Sequence, residues 1–558
     1  MTEAFWQLLR EFRHGRDLDR ALKAERKAIL KAAEGVLHPE LISELDRLLR
    51  HPHRAARLGR FIEGPRKDDD LLVDLQALLT HLYALGVSGS GKTYALLLLV
   101  LVLLRSGLIR SLVIADPKGE TAELMLEVIL PALAASLAPA EADALLQRIV
   151  VIDPFSSTHL PPLNVLVRDP GVPIAIQARD VAECFEAATE ADVSMRMETV
   201  LDWVLRLVIE VGGSFLTVRR ALQEPLVLEG LVRLSKERDT IRYFLTRFPS
   251  EPKASKLALL ARLDRFLALP MTQLSVAANT CINFDLQIDN GITIYTSGRA
   301  PAGLRSVARF FDMVIMTRFV RAIFRRSPRT THHALMVVDE WQMTLNSALA
   351  AEFESILTLA RSRGVHLWLA NQYLGQLDGH GKALRSAVLG GTPNQLLFRL
   401  TPEDAATLRS VFPTTGTMQR RGASTTGTTT PFLSANEERD ARVVAAARCP
   451  DRTGYWLDRR RDWGAIAFRS ATLDLPNSSS LPPDYVKRAK RGAIAFSIQE
   501  LEQQRDAEDA RLDALAAGPT PQAKPTPAAP SSSPPMAAPL LGGPAAKARP
   551  QGKRGKRP

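Results

Sequence analysis

Hydrophobic positions change their period along the chain, and each change predicts a different element. From residue 1 to about 65, apolar residues recur at helical spacing among many Arg, Lys and Glu, as in LDRALKAERKAILKAAEGVLHPELISELDRLLR, up to the breaker pair Gly64-Pro65. This predicts a helical N-terminal region over 1–65. Short, wholly apolar runs then alternate with helical patterns: His81–Leu85, SLVIAD at 111–116 and RIVVID at 148–153. Such runs predict buried parallel strands flanked by helices. From about 170 to 285 the strand runs stop, and amphipathic segments such as METVLDWVLRLVIEVGG and SKLALLARLDRFLAL predict an all-α insertion. Strand runs return at GITIYTS (291–297), HALMVVDE (333–340), HLWLANQ (366–372) and NQLLFRL (394–400), and GYWLDRRRDWGAIAF (454–468) reads as a hairpin.

The expected organisation is a discontinuous α/β domain with a mostly parallel central sheet, in two parts at 66–169 and 286–475, separated by the insertion at 170–285. A helical extension follows at 476–516. TGTMQRRGASTTGTTT (415–430) is an exposed loop by composition, and from 517 to 558 Pro, Ala and Ser dominate, so a disordered tail is expected. The apolar run Tyr94–Leu104 would extend only about 17 Å as a helix, against roughly 30 Å for a bilayer core. It predicts a buried helix and not a membrane span.

Charge changes this picture little. Of the net charge of +12, seven positive charges lie beyond residue 516, where no acid occurs, which leaves the body at +5. The basic part is the tail, and its composition suits an anionic membrane surface, DNA or a protein partner equally. Cys184, Cys281 and Cys449 are isolated in sequence and make neither a CxxC pair nor a disulfide framework, which predicts reduced structural thiols in a cytosolic protein. His332, His333 and His366 lack companions at metal-ligand spacing and are expected to be structural. The charged N-terminus carries no signal-peptide pattern.

The candidate chemistry starts at GVSGSGKT (86–93), a phosphate loop between a strand and a helix. Gly86, Ser88, Gly89, Ser90 and Gly91 let backbone amides converge on an anion, with the helix N-terminus pointing at the same place. Lys92 would reach the β and γ phosphates of ATP, and Thr93 would hold Mg²⁺. Asp339 follows five apolar residues, so it should emerge at the C-terminal edge of the sheet as the second Mg²⁺ ligand. Glu340 would act as general base on the attacking water. The alternative for this acidic pair is a helix N-cap. Asp116, Lys118 and Glu120 stand at the end of a neighbouring strand, within reach of metal-bound water or the loop. Asp153-Pro154 reads as a turn.

Between 233 and 265 nine Lys/Arg (Arg233, Lys236, Arg238, Arg242, Arg247, Lys253, Lys256, Arg262, Arg265) face four acids, with Tyr243, Phe244, Phe248 and Phe266 nearby. That is the composition either of a surface that tracks a nucleic-acid backbone or of solvated helix faces. Arg318, Arg321 and Arg325, and Arg459 to Arg461, are further candidates of the same kind. No base-reading motif is present.

The order of motifs resembles a known family. ADPKGE (115–120), VVIDP with Asn164 downstream, VVDEW and LARSRGVHLWLANQYLGQL (359–377) follow the phosphate loop as they do in type IV secretion coupling proteins, the TraG/TraD group of conjugative DNA-transfer ATPases within the FtsK/HerA superfamily. The resemblance covers about 80–475. It implies a RecA-like P-loop fold, Arg361 or else Arg363 as an arginine finger toward a neighbouring subunit, and Gln372 as a strand-end sensor of the γ-phosphate. It further implies a homo-oligomeric ring, a hexamer, that moves DNA through backbone contacts and links a relaxase to a transfer channel. Members of this group usually carry transmembrane helices before the motor domain. Here a soluble helical region stands in that place, so the expected location is cytoplasmic, or peripheral at the inner face of the bacterial cytoplasmic membrane through a partner. Two other readings share these motifs: a soluble FtsK/HerA-type motor on duplex DNA in mobile-element, repair or defence work, and a nucleotide-switched docking adaptor with little turnover.

Overall fold

The computed structural model describes residues 39–63, 66–189, 195–328, 330, 332–413, 434–461, 463–472 and 475–517. The expected loop at 415–430, the tail beyond Ala517 and the greater part of the N-terminal region lie outside the described residues.

Burial of apolar side chains on both faces of short β-branched runs produces the central feature, a sheet of eleven strands. In chain order they are β1 (Ala55–Phe61), β2 (Asp70–Asp74), β3 (Leu82–Leu85), β4 (Ile109–Asp116), β5 (Ile149–Ile152), β7 (Ile292–Thr296), β8 (His333–Val338), β9 (Val365–Asn371), β10 (Asn394–Leu397), β11 (Thr453–Asp458) and β12 (Ile466–Ser470). β6 (His159–Leu160) pairs instead with β13 (Phe496–Ser497). The order across the main sheet is β2-β1-β12-β11-β10-β3-β9-β8-β4-β7-β5. From β10 to β5 every pairing is parallel. β11 lies antiparallel to β10 and forms the expected hairpin with β12, and β1 and β2 continue the antiparallel part. The mostly parallel central sheet with helices on its faces is the α/β fold class expected from the apolar runs.

The two faces of the sheet carry separate cores, divided by the two-residue alternation of each strand. Along β8, Ala334, Met336 and Val338 join one core and Leu335 and Val337 the other. Helix α1 (Lys92–Ser106) covers the second core; its residues Ala95 to Leu101 are all 7% exposed or less. The apolar run is therefore a buried helix against the sheet, as expected. Among the described residues, no helix is long and apolar enough to cross a membrane.

The opposite face carries the helices between β6 and β7 together with α4 (Arg305–Arg325). α2 (Ile174–Thr189) and α3 (Met195–Val211) pack side by side and α2 also lies against α4, with Phe185 edge-on to Phe310 at 6.2 Å. The last described helix, α5 (Ile498–Ala517), returns to these helices. Glu508 accepts hydrogen bonds from the Ser214 amide (2.9 Å), the Ser214 hydroxyl (2.7 Å) and Thr217, and Arg220 pairs with Asp513 at 2.7 Å.

The N-terminal region differs from expectation. Pro39–Arg50 is helical, but Ala55–Phe61 is a strand of the main sheet, paired with both β12 and β2. Its burial does not alternate, because Ala55, Ala56 and Leu58 are all covered. Tertiary pairing thus overrides a local composition rich in helix formers.

Burial of α1 from Ala95 to Leu101 and at Leu103 makes it sensitive to truncation. Leu103 is 0% exposed, and Leu103→Ala is expected to destabilise the protein by about 2–5 kcal/mol through lost apolar burial and a residual cavity. Chemical denaturation monitored by circular dichroism checks this.

Candidate nucleotide site

Four adjacent parallel strands, β3, β9, β8 and β4, end at the same edge of the sheet. With neighbouring strands about 4.8 Å apart, whatever follows them in sequence is brought into one row. After β3 comes the loop 86–91, after β9 Gln372, after β8 Asp339 and Glu340, and after β4 the turn from Pro117. All of these line one cleft of about 550 Å³. The sequence-predicted Ser88, Gly89, Ser90, Gly91, Lys92, Thr93, Asp116, Lys118, Glu120, Asp339, Glu340 and Gln372 border it, while Gly86 forms the base of the loop.

The loop is held by its neighbours. The Gly86 amide donates to Asn371 O (3.3 Å) and the Val87 amide to Arg399 O (2.9 Å), which tie it to β9 and to the end of β10. Gly91 has φ +99°, and a Cβ on it would meet the Arg452 Cα at 3.0 Å, so both the turn and the space require glycine. Lys92 is 6% exposed, and its ammonium donates to Gly86 O at 3.1 Å. Burial lowers its pKa, while Asp339 and Glu340 oppose the shift. The Ser90 hydroxyl is buried with no partner among the described residues. First-turn amides of α1 have no intrahelical acceptor by geometry. An orphaned hydroxyl, a desolvated ammonium and free amides around one loop form a donor set that fits a polyphosphate.

The acids opposite are split in character. Asp339 Oδ2 lies 3.4 Å from both Thr93 Oγ1 and Thr121 Oγ1, an arrangement suited to a hard cation that takes few protein ligands. Burial raises its pKa, partly countered by Lys92. For Glu340 burial acts in the same direction but is outweighed by hydrogen bonds from Lys118, Gln342 and Gln372, so its carboxyl is held below the usual glutamate range. Its backbone is left-handed at φ 47°, a strained conformation for a side chain of this kind. Gln372 Nε2 donates to Glu340 Oε1 at 2.7 Å. Asp116 is occupied otherwise: it accepts from the amides of Lys118 (2.9 Å), Thr121 (2.7 Å) and Ala122 (3.2 Å) and so organises the turn.

Several candidates stand elsewhere. Arg361 is exposed on the helix Phe353–Ser362, which precedes β9, at the end of that strand remote from the cleft. It is outside its own chain's site. Arg363 interlocks with Arg326, each guanidinium donating to the other's carbonyl, so it is a structural residue. His366 Nε2 lies 3.0 Å from His333 Nδ1, and His332 meets Arg110 at 3.0 Å. Asp153 Oδ1 accepts from the Phe155 amide at 3.0 Å, as a turn residue does.

The expected nucleic-acid surface needs correction. Tyr243, Phe244, Phe248 and Phe266 are buried at 9% exposure or less; Tyr243 stacks on Trp203 at 4.8 Å, and none presents a face to a base. Arg318 and Arg325 pair with Asp169, Arg321 binds Asp180 through two hydrogen bonds, and Arg325 also binds Asp285. These three arginines join the helices to one another and are not free for phosphate. Arg459 donates to Leu389 O and Arg460 to Asp458, at the tip of the β11–β12 hairpin. Lys236, Arg238, Arg247, Lys253 and Arg265 remain exposed.

Comparison with known proteins agrees with the motif order. Residues 333–445 match the family model described as the TraM recognition site of TraD and TraG. Among solved structures, the chain is similar to the unbound bacterial conjugative coupling protein TrwBdeltaN70, with 12% identity, 76% of this chain and 90% of that chain covered, and a TM-score of 0.47. It is likewise similar to VirB4 of Thermoanaerobacter pseudethanolicus (14% identity, 79% and 98% covered, TM-score 0.49) and to the plasmid coupling protein TrwB in complex with ADP and Mg²⁺ (12%, 73% and 88%, 0.45). No curated protein matches the chain.

Further members of the cleft without a signature in the sequence include Tyr94, Asp451 and Arg452. The Arg452 amide donates to Ser90 O (2.8 Å), and its guanidinium sits 5.7 Å from the Tyr94 ring. Because Gly91 is pressed against Arg452 at positive φ, Gly91→Ala is expected to cost about 1–3 kcal/mol of stability, read from the denaturation midpoint.

Proposed function

We propose that the chain is an ATP-driven DNA translocase of the conjugative coupling type. One observation carries this reading: a glycine-rich loop, the Thr93–Asp339 pair and a carboxylate held by a strand-end glutamine meet at the ends of β3, β8 and β9. Lys92 and the amides of the loop would hold the phosphates of ATP, and Thr93 and Asp339 would hold Mg²⁺. When bound, the nucleotide supplies a phosphoanhydride whose cleavage releases free energy. Glu340 accepts the proton of the attacking water, and Gln372 orients the Glu340 carboxylate. Lys92, buried among acids, neutralises developing charge.

Arg361, remote from its own cleft and exposed, suits a finger supplied to a neighbouring subunit, which makes a ring the natural assembly, and a hexamer on the family resemblance. The basic residues that remain exposed on the helical face, Lys236, Arg238, Arg247, Lys253 and Arg265, are the proposed contacts to DNA backbone. The match at 333–445 points to a relaxosome protein of the TraM kind as a docking partner, with a relaxase as cargo. Partner docking also accounts for peripheral placement at the membrane.

Hydrolysis stimulated several-fold by DNA is the expected result of an ATPase assay. Lys92→Ala is expected to weaken ATP binding at least about tenfold, while Glu340→Gln retains binding and loses about 10²–10⁴ in turnover. Calorimetry and a phosphate-release assay measure the two. A flat, DNA-insensitive rate would instead indicate a nucleotide-switched adaptor.

A further inference from the structure

The carboxylate read above as the base is already engaged. Glu340 is 4% exposed; its Oε1 accepts from Lys118 Nζ at 2.6 Å and from Gln372 Nε2 at 2.7 Å, and its Oε2 from Gln342 Nε2 at 2.8 Å. A carboxylate offers about four lone-pair sites, so three donors leave little room for a water. Two of the donors are neutral amides. Lys118 alone among the three adds charge, and a charge-assisted bond is the strongest of the three.

A second observation concerns where Lys118 stands. Its turn is fixed from within by Asp116 and backed from outside by the connection between β7 and α4. A Cβ added to Gly298 in that connection would meet the Lys118 carbonyl oxygen at 2.2 Å, and Ser297 Oγ donates to Pro117 O at 3.4 Å. The turn therefore rests directly on the lead-in to α4, the helix against which the α-helical layer packs. A shift of that lead-in must move Lys118.

We infer that Lys118 is a latch on the base: its ammonium holds Glu340 Oε1 away from water, and displacement of the 116–122 turn by the β7–α4 connection breaks that bond and frees the carboxylate for catalysis. Lys118 acts through Glu340 and is a positioning residue. The inference rests on the reading of Glu340 as base. The other charged groups facing Glu340 are Lys92 from α1 and Asp339 from β8, and neither rests on the β7–α4 connection. DNA gripped by the helical layer would thus accelerate hydrolysis by unlatching the base.

The test uses the full chain with Lys118→Met, which keeps length and removes charge, and Lys118→Arg, which keeps both. In Lys118→Met the DNA-free kcat is expected to rise about three- to tenfold, with DNA stimulation reduced by about the same factor. ADP affinity by calorimetry should stay within about twofold, and Lys118→Arg should restore the low DNA-free rate. A fall in kcat, or weakened ADP binding, would place Lys118 on the nucleotide and overturn the latch. An unchanged rate would reduce it to a surface ion pair. Glu340→Gln separates the two levels: if that variant still hydrolyses ATP, the assignment of the base fails, and if it is inactive while Lys118→Met does not accelerate, the latch alone fails.

Discussion

Parallel pairing of β3, β9, β8 and β4 is the constraint on which the site depends. Parallel strands leave the sheet at the same edge, so the residues that follow them are neighbours in space although they are some 280 positions apart in sequence. The Tyr83 hydroxyl donating to Asn371 Oδ1 at 2.5 Å locks the first two strands in register just below the cleft, and the Asp339 amide donating to Ala115 O at 2.9 Å does the same for β8 and β4. A slip of one residue in any of these pairings would turn its side chains to the opposite face.

Much of this was legible in the chain because it rests on local patterns. The phosphate loop, the acids after HALMVV and the glutamine after HLWLAN each sit one or two residues past a strand-length apolar run, and those runs announce their own ends. The strand β1 was not legible: its sequence AARLGRF has neither strand composition nor alternation, and only pairing on both sides keeps it extended. Arg452 and Tyr94 were equally hidden. Arg452 reaches the loop because β11 turns back antiparallel beside β10, a tertiary relation that leaves no local period.

Charge was the least reliable guide. A row of arginines at helical spacing on α4 has the form of a phosphate-binding stripe, yet Arg318, Arg321 and Arg325 meet Asp169, Asp180 and Asp285 from segments well over a hundred positions upstream or about forty upstream. Acids that answer a basic row can come from anywhere in the chain, so the row alone says little. The aromatic residues next to the basic cluster met the same fate, since helical spacing that places a ring beside an arginine in sequence turns the two to different sides of the helix.

The return of α5 to the helical layer has a mechanical consequence. The layer is joined to the sheet by the chain before α2 and after Asn290, and α5 adds a third tether through Glu508 and Asp513, continuing back by β13 to β6 just past β5. A body held at three points can tilt but cannot swing out on a hinge.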